Sequence, residues 1–416
     1  METCCKSFQY KNGLVLLYEE MSWRNSFAVV TSVPAGAIWD VPGKWGLASL
    51  TCEMTNRGAG EFDNRQFLET LEYLGVSTAE RAGSSYSVFG SSGLVDNWER
   101  ALELSALQIR KPVFDEEEFD ECRQIQLQEI SAINDSPKSR CKNAFGPLIF
   151  PSPWGRFALG TIETVCELTI EDVRRFHERR YRPNGTVIAL TGRLDWECVK
   201  EKVGELFGDW SSKEEEDIEV KDSEQSSIHI ECDSAQTHFM LGFPDVPFGH
   251  PDYRRLAGGI DVLSGGMSSR LFTEVREKRG LCYSVNASIT TAESYGRVIC
   301  YCGSSSEKAP QALDVIVHEI DRLSEAPVAE SELARMKIGA KSDLVMQRES
   351  TRQRADAMIG DWRRLNRVPS LEEKIAMYDN LTTWDIESYF AARPHRRFRL
   401  ASLGPEPLSL PSDRLY

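Results

Sequence analysis

Apolar and polar residues alternate along several short segments of the chain, which is the pattern of a half-buried β-strand. The alternation predicts strands at residues 27–33, 86–90, 227–231, 239–243 and 297–302. Other segments place apolar residues three and four positions apart, which is typical of amphipathic helices. Because both patterns recur in each half of the chain, the sequence predicts an α+β architecture of mixed sheets packed with helices.

The two halves of the chain also resemble each other, at an offset of 205 residues. The segment RQFLETLEYLGV (65–76) aligns with SRLFTEVREKRGL (269–281), which superposes Gly75 on Gly280. Each half then continues with an amphipathic helix, a break that contains proline and an acidic helix start. A duplication with so long a period predicts two homologous domains instead of a solenoid.

An acidic segment separates the two halves. Residues 211–227 contain seven acidic residues, two lysines and no aromatic residue, so this segment cannot help to bury a core. The sequence therefore predicts an N-terminal domain at 1–210, a linker at 211–227 and a C-terminal domain at 228–416. A chain of 416 residues is long enough for two domains of this size.

Composition argues against several classes of function. The chain has 49 basic and 64 acidic residues and a net charge of −15, so we expect neither nucleic acid nor an anionic membrane as a partner. Its apolar runs are too short for a membrane span or a signal-peptide core, so the expected location is the cytoplasm. The eleven scattered cysteines, without a Cys-x-x-Cys pair, fit reduced thiols better than a disulfide framework.

Three long segments of the chain follow one another in a recognisable order. They are AGAIWDVPGKWGLASL, then SPWGRFALGTIETVCELTIEDVRRFHERRYRPNGTVIALTGRLD, then HFMLGFPDVPFGHPDYRRLAGGIDVLSGGMSSRLFTEVREKRGLCYSVNAS. Together they resemble the pitrilysin/insulinase family of zinc metallopeptidases, in the short-chain branch of the mitochondrial processing peptidases. The resemblance implies the LuxS/MPP-like metallohydrolase fold, in which two homologous domains form half of a clamshell.

In that family the catalytic helix carries the inverted zinc motif His-x-x-Glu-His. Its two histidines bind zinc, and its glutamate is the general base for the metal-bound water. On the segment GLASLTCEMTNRGAG (46–60), the resemblance assigns the first ligand position to Ser49, the general-base position to Cys52 and the second ligand position to Glu53. It assigns the third ligand, a carboxylate on a later helix, to Glu129, and that position keeps its residue type.

The residues at these positions are poorly suited to zinc. A hydroxyl and a carboxylate in place of two imidazoles leave oxygen ligands that suit Mg²⁺ or Ca²⁺ better than Zn²⁺. A thiol at the general-base position would itself tend to bind zinc instead of transferring protons. The sequence thus predicts a degenerate motif, with no metal bound by this chain alone, although an oxygen-liganded metal stays an alternative.

The histidines of the chain offer no clear second zinc site. None of them form a pair at helical i, i+4 spacing, and their positions are His177, His229, His238, His250, His318 and His395. His229, Cys232 and His238 lie near one another in the sequence, but scattered polar residues of this kind are usually incidental.

The second half, in contrast to the first, keeps the residue types that the family resemblance assigns to its site. The segment REKRGLCY carries Arg276 and Tyr283, and the resemblance implies that this pair contacts the substrate and donates hydrogen bonds to the oxygen that becomes negative during hydrolysis. The local pattern predicts a helix that begins at Ser268 or Ser269 and ends at Gly280, followed by a strand. The alternative is that the arginine belongs to a charged surface patch and the tyrosine to the core.

The segment VSTAERAGSSYSVFG (76–90) corresponds in the family to an edge strand that accepts the substrate backbone by strand addition. Its residue types permit this role without being specific for it, since many such strands are purely structural.

Members of this branch commonly work as two-chain assemblies in which one chain carries the zinc motif. The resemblance therefore implies a non-catalytic, substrate-binding subunit that pairs with a zinc-bearing paralogous subunit and encloses peptide substrates, with the zinc held by the partner. Two alternatives stay open. One is a structural or assembly protein of the same fold without peptide chemistry, and the other is an autonomous metallopeptidase with unusual ligands.

Overall fold

The structure, a computed structural model, describes residues 5–394 and 396–416, so His395 and the first four residues lie outside the description. Within the described part the chain forms thirteen strands. They are β1 (Lys6–Gln9), β2 (Val15–Glu20), β3 (Ser26–Val33), β4 (Gly58–Ala59), β5 (Phe62–Asp63), β6 (Ser77–Ala82), β7 (Ser87–Leu94), β8 (Val187–Gly192), β9 (Ser227–Glu231), β10 (Gln236–Asp245), β11 (Ser284–Ala292), β12 (Tyr295–Ser305) and β13 (Arg399–Gly404).

The same part of the chain forms fourteen α-helices and one π-helical segment, Phe272–Glu277. The helices are α1 (Leu47–Met54), α2 (Asn64–Tyr73), α3 (Trp98–Arg110), α4 (Glu116–Asn134), α5 (Pro137–Ile149), α6 (Ile162–Cys166), α7 (Ile170–Arg180), α8 (Trp196–Phe207), α9 (Tyr253–Ser264), α10 (Ala309–Glu325), α11 (Glu330–Gln347), α12 (Thr351–Leu365), α13 (Leu371–Asp379) and α14 (Thr383–Ala391). The five strands predicted from alternation are confirmed as β3, β7, β9, β10 and β12.

The first of two compact units is built on a six-stranded sheet in the order β1-β2-β8-β3-β7-β6. Strands β2 and β8 are parallel, and the other neighbours are antiparallel. Alternation along β2 directs Leu16 and Tyr18 into a core with α2, α3 and α8, whereas Val15 and Leu17 face α12. Since both faces are covered, the central strands are apolar on both sides.

The second unit is built on a five-stranded sheet in the order β11-β12-β10-β13-β9. Helices α9, α10 and α14 cover one face and contribute to its largest core cluster. The other face packs on α5 through Phe145 and Ile149, which meet Met240 of β10 and Leu403 of β13. Both units therefore have the layered α+β architecture that the sequence predicts.

The two units do not follow the linear halves of the chain. The first contains the residues up to Ser131 with Phe157–Ile218 and Val345–Ser370, and the remainder forms the second. Helix α5 thus belongs to the second unit and α12 to the first, in contrast to the predicted domains at 1–210 and 228–416. The reason is that the apolar face of each helix covers the sheet of the opposite half. The chain leaves the first unit at Ile218, inside the predicted linker.

Helix α12 is joined to the first sheet by a buried ion-pair network as well as by packing. The Glu19 carboxylate at the end of β2 accepts from Arg354 Nε at 3.0 Å and from Arg348 Nη2 at 3.2 Å. Glu19 is 1% exposed, so removal of its partners would leave an uncompensated charge in the interior.

The duplication predicted from the sequence is visible in the backbone. Gly75 ends α2 with φ of 61°, and Gly280 follows the π-helical segment with φ of 56°. Both values lie in the left-handed region that glycine adopts without steric cost, and both glycines precede an edge strand. The pattern match thus reflects equivalent turns in the two units.

No helix in the described residues combines the length and the apolar character needed to cross a bilayer.

Candidate functional site

Helix α1 carries three of the four degenerate motif positions, and the Asp40 carboxylate caps the start of this helix. Asp40 Oδ2 accepts from Gly46 N and Oδ1 accepts from Ala48 N, both at 2.8 Å. These bonds satisfy amides that a helix N-terminus leaves free. Gly46 has φ of 94°, and a Cβ there would approach Leu159 O to 2.4 Å. The small residues of this segment are therefore explained by the backbone path into α1.

The first ligand position and the general-base position are both unsuited to catalysis as they stand. Ser49 Oγ donates a hydrogen bond to Ala158 O at 2.8 Å, so this hydroxyl is already engaged with the backbone. Cys52 is buried, and burial raises the pKa of its thiol well above the ordinary value, with a smaller contribution from the charge of Glu80. A thiol that stays neutral does not accept a proton from water at physiological pH.

The second ligand position is occupied by an ion-paired carboxylate. Arg57 Nη2 donates to Glu53 Oε1 at 2.5 Å, across one helical turn at the end of α1. Both side chains are partly shielded from solvent, with exposed fractions of 20% for Arg57 and 35% for Glu53. The cation that Glu53 binds is therefore a guanidinium of the same chain.

Two further glutamates lie within electrostatic reach of this ion pair. Burial, and then the charge of Glu53, raise the pKa of Glu80 on β6 to about 7, while the charge of Arg57 opposes this rise. The pKa of Glu129 on α4 is likewise raised, first by burial and then by Glu53. We call Glu53, Arg57, Glu80 and Glu129 the carboxylate cluster. The structure thus brings the predicted positions Glu53 and Glu129 close together.

The side chains in this region do not fit a catalytic zinc ion. Zinc in peptidases takes imidazole and carboxylate ligands, whereas here the hydroxyl of Ser49 and the carboxylate of Glu53 have other partners. Among residues 5–394 and 396–416, no three His, Cys, Asp or Glu side chains are grouped so that they could hold a metal ion. The guanidinium of Arg57 supplies positive charge to the carboxylates instead.

The other histidine-containing segment is engaged in local hydrogen bonds. His229 Nδ1 lies 2.9 Å from Ser402 Oγ, and His238 Nδ1 lies 2.9 Å from Tyr301 Oη. Both histidines thus have partners within the second sheet, and the described residues place no metal-binding group there.

Arg276 and Tyr283 lie on either side of the Gly280 turn in the second unit. The Arg276 side chain is 46% exposed, lies over the Phe272 ring at 4.8 Å and has Glu277 Oε1 at 3.9 Å. Tyr283 is 66% exposed at the start of β11, and its backbone N donates to Gly303 O at 2.9 Å. The exposure of Tyr283 contradicts the alternative in which this side chain belongs to the core.

The segment before this turn differs from the predicted helix. Residues Phe272–Glu277 form a π-helix, in which Lys278 N donates to Thr273 O five residues earlier at 2.9 Å. Helical residues begin at Arg270, directly after Ser269, where the sequence predicted the start of the helix, and Thr273 N donates to Ser269 O at 3.0 Å. A π-helical turn holds one residue more than an α-helical turn, and such turns are frequent at functional sites.

Strand β6 is an edge strand, as the sequence comparison with the family predicted. It lies at the end of the strand order in the first sheet and pairs with β7, where Glu80 is opposite Phe89. Along β6 the half-buried Thr78, Glu80 and Ala82 alternate with exposed residues, and the strand packs against α1. The outer edge of β6 therefore leaves backbone donors and acceptors for another strand.

Two sequence profiles of one peptidase family match the chain in succession. The profile described as insulinase (peptidase family M16) matches residues 15–146, and the profile described as peptidase M16 inactive domain matches residues 167–339. The chain belongs to the M16 peptidase family. The resemblance to pitrilysin/insulinase peptidases that the sequence segments suggested is therefore confirmed.

Several M16 relatives match over most of their length. An uncharacterized zinc protease of Rickettsia bellii is 26% identical over 379 residues, which is 90% of this chain and 92% of that protein. An uncharacterized zinc protease of Bacillus subtilis is 24% identical over 348 residues, 83% of this chain and 85% of that protein.

Two crystal structures share the fold. The peptidase M16 inactive domain from Pseudomonas fluorescens superposes with a TM-score of 0.87 at 23% identity, covering 98% of this chain and 99% of that chain. A protease from Helicobacter pylori also superposes with a TM-score of 0.87, at 19% identity, covering 97% and 100%. The two-domain M16 fold predicted from the sequence is thereby confirmed.

Sequence reasoning missed two members of the carboxylate cluster, Arg57 and Glu80. The i, i+4 spacing of Glu53 and Arg57 is a known signal for an ion pair on a helix. Glu80 gave a weaker signal, because its position opposite α1 depends on the packing of an edge strand against a helix.

Proposed function

We propose that this M16 chain is a non-catalytic, substrate-binding subunit of a two-chain peptidase. In this proposal a zinc-bearing paralogous subunit supplies the metal and activates water, and the present chain binds and orients the peptide. The two subunits together enclose the substrate in a clamshell chamber.

One observation carries the proposal: the side chains at the motif positions of α1 are already committed to other partners. Glu53 is paired with Arg57 at 2.5 Å, Ser49 donates to Ala158 O, and burial keeps the Cys52 thiol neutral. Zinc binding by this helix would require two imidazoles that are absent, and hydrolysis would require a base that can take a proton. Any hydrolysis therefore depends on a metal that another chain provides.

The substrate-binding part of the proposal is supported by Arg276 and Tyr283. Both side chains are exposed, and within the described residues no hydrogen bond to Tyr283 Oη is found, while Arg276 lies over the Phe272 ring and has its nearest carboxylate, Glu277, at 3.9 Å. A guanidinium and a phenol are suitable donors to a peptide carbonyl and to the oxyanion that forms from it. The free edge of β6 adds a surface on which an extended peptide can pair by strand addition.

The proposal is tested by reconstitution. The purified chain is analysed for zinc and assayed on a peptide library, alone and after mixing with a paralogue from the same source that carries His-x-x-Glu-His. We expect substoichiometric zinc and no hydrolysis from the chain alone, and chelator-sensitive hydrolysis from the mixture at a rate above that of the paralogue alone.

Other outcomes decide between the alternatives. One tightly held zinc and chelator-sensitive hydrolysis by the chain alone would establish an autonomous peptidase and contradict the proposal. A stable complex in which the chain leaves the peptidase rate of the paralogue unchanged would favour a structural or assembly protein.

A further inference from the structure

The second unit contains a basic cavity in an otherwise acidic protein. The cavity has a volume of about 560 Å³ and lies between the end of β10 with the residues that follow it, the segment before β13, and Tyr416. Three arginines and one aspartate line it, and the remaining lining residues are apolar or aromatic. A concave site of this size, with convergent polar groups on apolar walls, has the features of a small-molecule site.

Arg396 forms the buried part of this cavity and makes no ion pair among the described residues, although the charges of Asp245 and Asp321 partly offset its own. It is 6% exposed, and burial lowers the pKa of its guanidinium. Nη1 donates to Ser324 Oγ at 3.3 Å, while Nη2 has no hydrogen-bond partner. In the described part of the chain no carboxylate lies within ion-pair distance of it. A buried charge without a partner is unfavourable, so an anion in this cavity would be stabilised.

The single acidic side chain in the lining, Asp245, offsets part of the charge of Arg396 without forming an ion pair with it. Asp245 Oδ1 accepts a hydrogen bond from Val246 N at 2.8 Å and another from the Tyr389 hydroxyl. The guanidinium of Arg396 is instead positioned over the rings of Phe243 and Phe390, at 5.2 and 4.8 Å. The charged side chains that line the cavity are three guanidiniums and one carboxylate, so the side chains carry an excess of positive charge.

The other two arginines present donors at the cavity wall. Arg393 is 40% exposed, and its Nη1 donates to Tyr389 O at 3.1 Å, while its Nη2 is 3.9 Å from an oxygen of Asp252. Arg397 is exposed and, within residues 5–394 and 396–416, forms neither a hydrogen bond nor an ion pair. Both guanidiniums thus retain donors for a ligand.

We propose that this cavity binds a small organic phosphate. Planar guanidinium groups bind phosphate oxygens in pairs of parallel hydrogen bonds, and three of them converge here. The cavity volume exceeds that of an inorganic anion, and the aromatic side chains of Phe243 and Tyr416 offer apolar contact to the organic part of a ligand. The site lies within one unit and its existence is independent of the peptide-binding role proposed above.

The experiment is a calorimetric titration of the full-length chain in phosphate-free buffer at low salt. The probes are ribose 5-phosphate, inorganic phosphate and ribose. We expect ribose 5-phosphate to bind more tightly than inorganic phosphate, and ribose to give no heat at the same concentration. Arg393→Ala and Arg397→Ala are each expected to weaken binding by about tenfold, because each removes charge-assisted hydrogen bonds.

Two further variants test whether the charge of the lining side chains determines the affinity for the phosphate. Asp245→Asn should strengthen binding, because it removes the one acidic side chain in the lining, and Arg335→Ala, at an exposed arginine on α11, should leave the affinity unchanged. Absence of ribose 5-phosphate binding at about 1 mM would overturn the proposal. The proposal would also be overturned if Arg393→Ala and Arg397→Ala bound ribose 5-phosphate as tightly as the Arg335→Ala control. Equal affinities for ribose 5-phosphate and inorganic phosphate would overturn it as well.

Discussion

Arg57 Nη2 lies 2.5 Å from Glu53 Oε1, so the residue at the second ligand position is bound to a cation supplied by its own helix end. In M16 peptidases with the complete motif this position holds a histidine, as the family resemblance implies. Here the same region of the fold combines three glutamates with one guanidinium. The contribution of these charges to the stability of the protein can be measured.

Arg57→Ala is expected to destabilise the protein by about 1–3 kcal/mol, because it leaves a partly buried carboxylate without its partner. Urea unfolding checks this value. The matched control is Arg65→Ala, which removes another i, i+4 pair, with Glu69, where the arginine is 86% exposed. An exposed pair of this kind contributes only a few tenths of a kcal/mol, so equal losses in the two variants would argue against an electrostatic role for Arg57.

Glu80→Gln is expected to change the pH dependence of stability. The pKa of Glu80 is about 7 in the folded protein and 4.5 ordinarily, so the folded state binds more protons between these values. Stability is therefore lost as pH rises through this window. The variant should be more stable than the wild type at pH 8, by at most about 3 kcal/mol, and the difference should vanish near pH 4.

Thermal unfolding between pH 4 and pH 8 measures this difference. Glu72→Gln, at an exposed carboxylate on α2, is the control for loss of a surface charge and should give only a small difference. A Glu80→Gln difference that is as large at pH 4 as at pH 8 would show that packing, and not ionisation, causes the effect.

Combined substitution of Ser49→His, Cys52→Glu and Glu53→His should create a zinc site on α1, since it restores two imidazoles one turn apart and a glutamate between them. We expect about one equivalent of zinc and a higher unfolding temperature with zinc than without it. The control Ser49→Ala, Cys52→Glu, Glu53→Ala lacks the imidazoles and should bind none. If the folded variant with Ser49→His, Cys52→Glu and Glu53→His binds no zinc, the local backbone of α1 is no longer suited to the metal.

Arg276→Ala and Tyr283→Phe should each lower kcat of the reconstituted peptidase by about 10²–10³, if each donor stabilises the oxyanion. Steady-state assays with the zinc-bearing partner measure this effect, and gel filtration shows whether the complex still forms. Tyr73→Phe removes the hydroxyl of a tyrosine that is 93% exposed and serves as the control. Unchanged kcat in both site variants would remove Arg276 and Tyr283 from the proposed mechanism.

Much of the fold was accessible from the sequence, because local patterns determine it. Alternation located strands β3, β7, β9, β10 and β12, and the repeated glycines Gly75 and Gly280 marked equivalent left-handed turns. The π-helical geometry of Phe272–Glu277 was not predicted, because the same residues satisfy an α-helical pattern.

The features that sequence reasoning missed depend on contacts between distant segments. An amphipathic pattern shows that α5 and α12 bury one face, but it does not show which sheet each one covers. Likewise, the raised pKa of Glu80 arises from burial beside Glu53 of α1, which no spacing in the sequence reveals. The motif positions themselves could be assigned, because the family resemblance supplied their register.

Each sheet is covered by a helix from the other half of the chain, α12 on the first sheet and α5 on the second. This arrangement has a consequence for synthesis on the ribosome. The apolar face of the first sheet that contains Val15, Ala28 and Val187 stays uncovered until residues 351–365 have been synthesised and have packed against it. A nascent chain that ends near the acidic linker therefore exposes this face, and a fragment cut there should aggregate or recruit a chaperone. Neither linear half of the chain contains every segment of its own unit, so the first unit can be completed only after residues 351–365 have been synthesised.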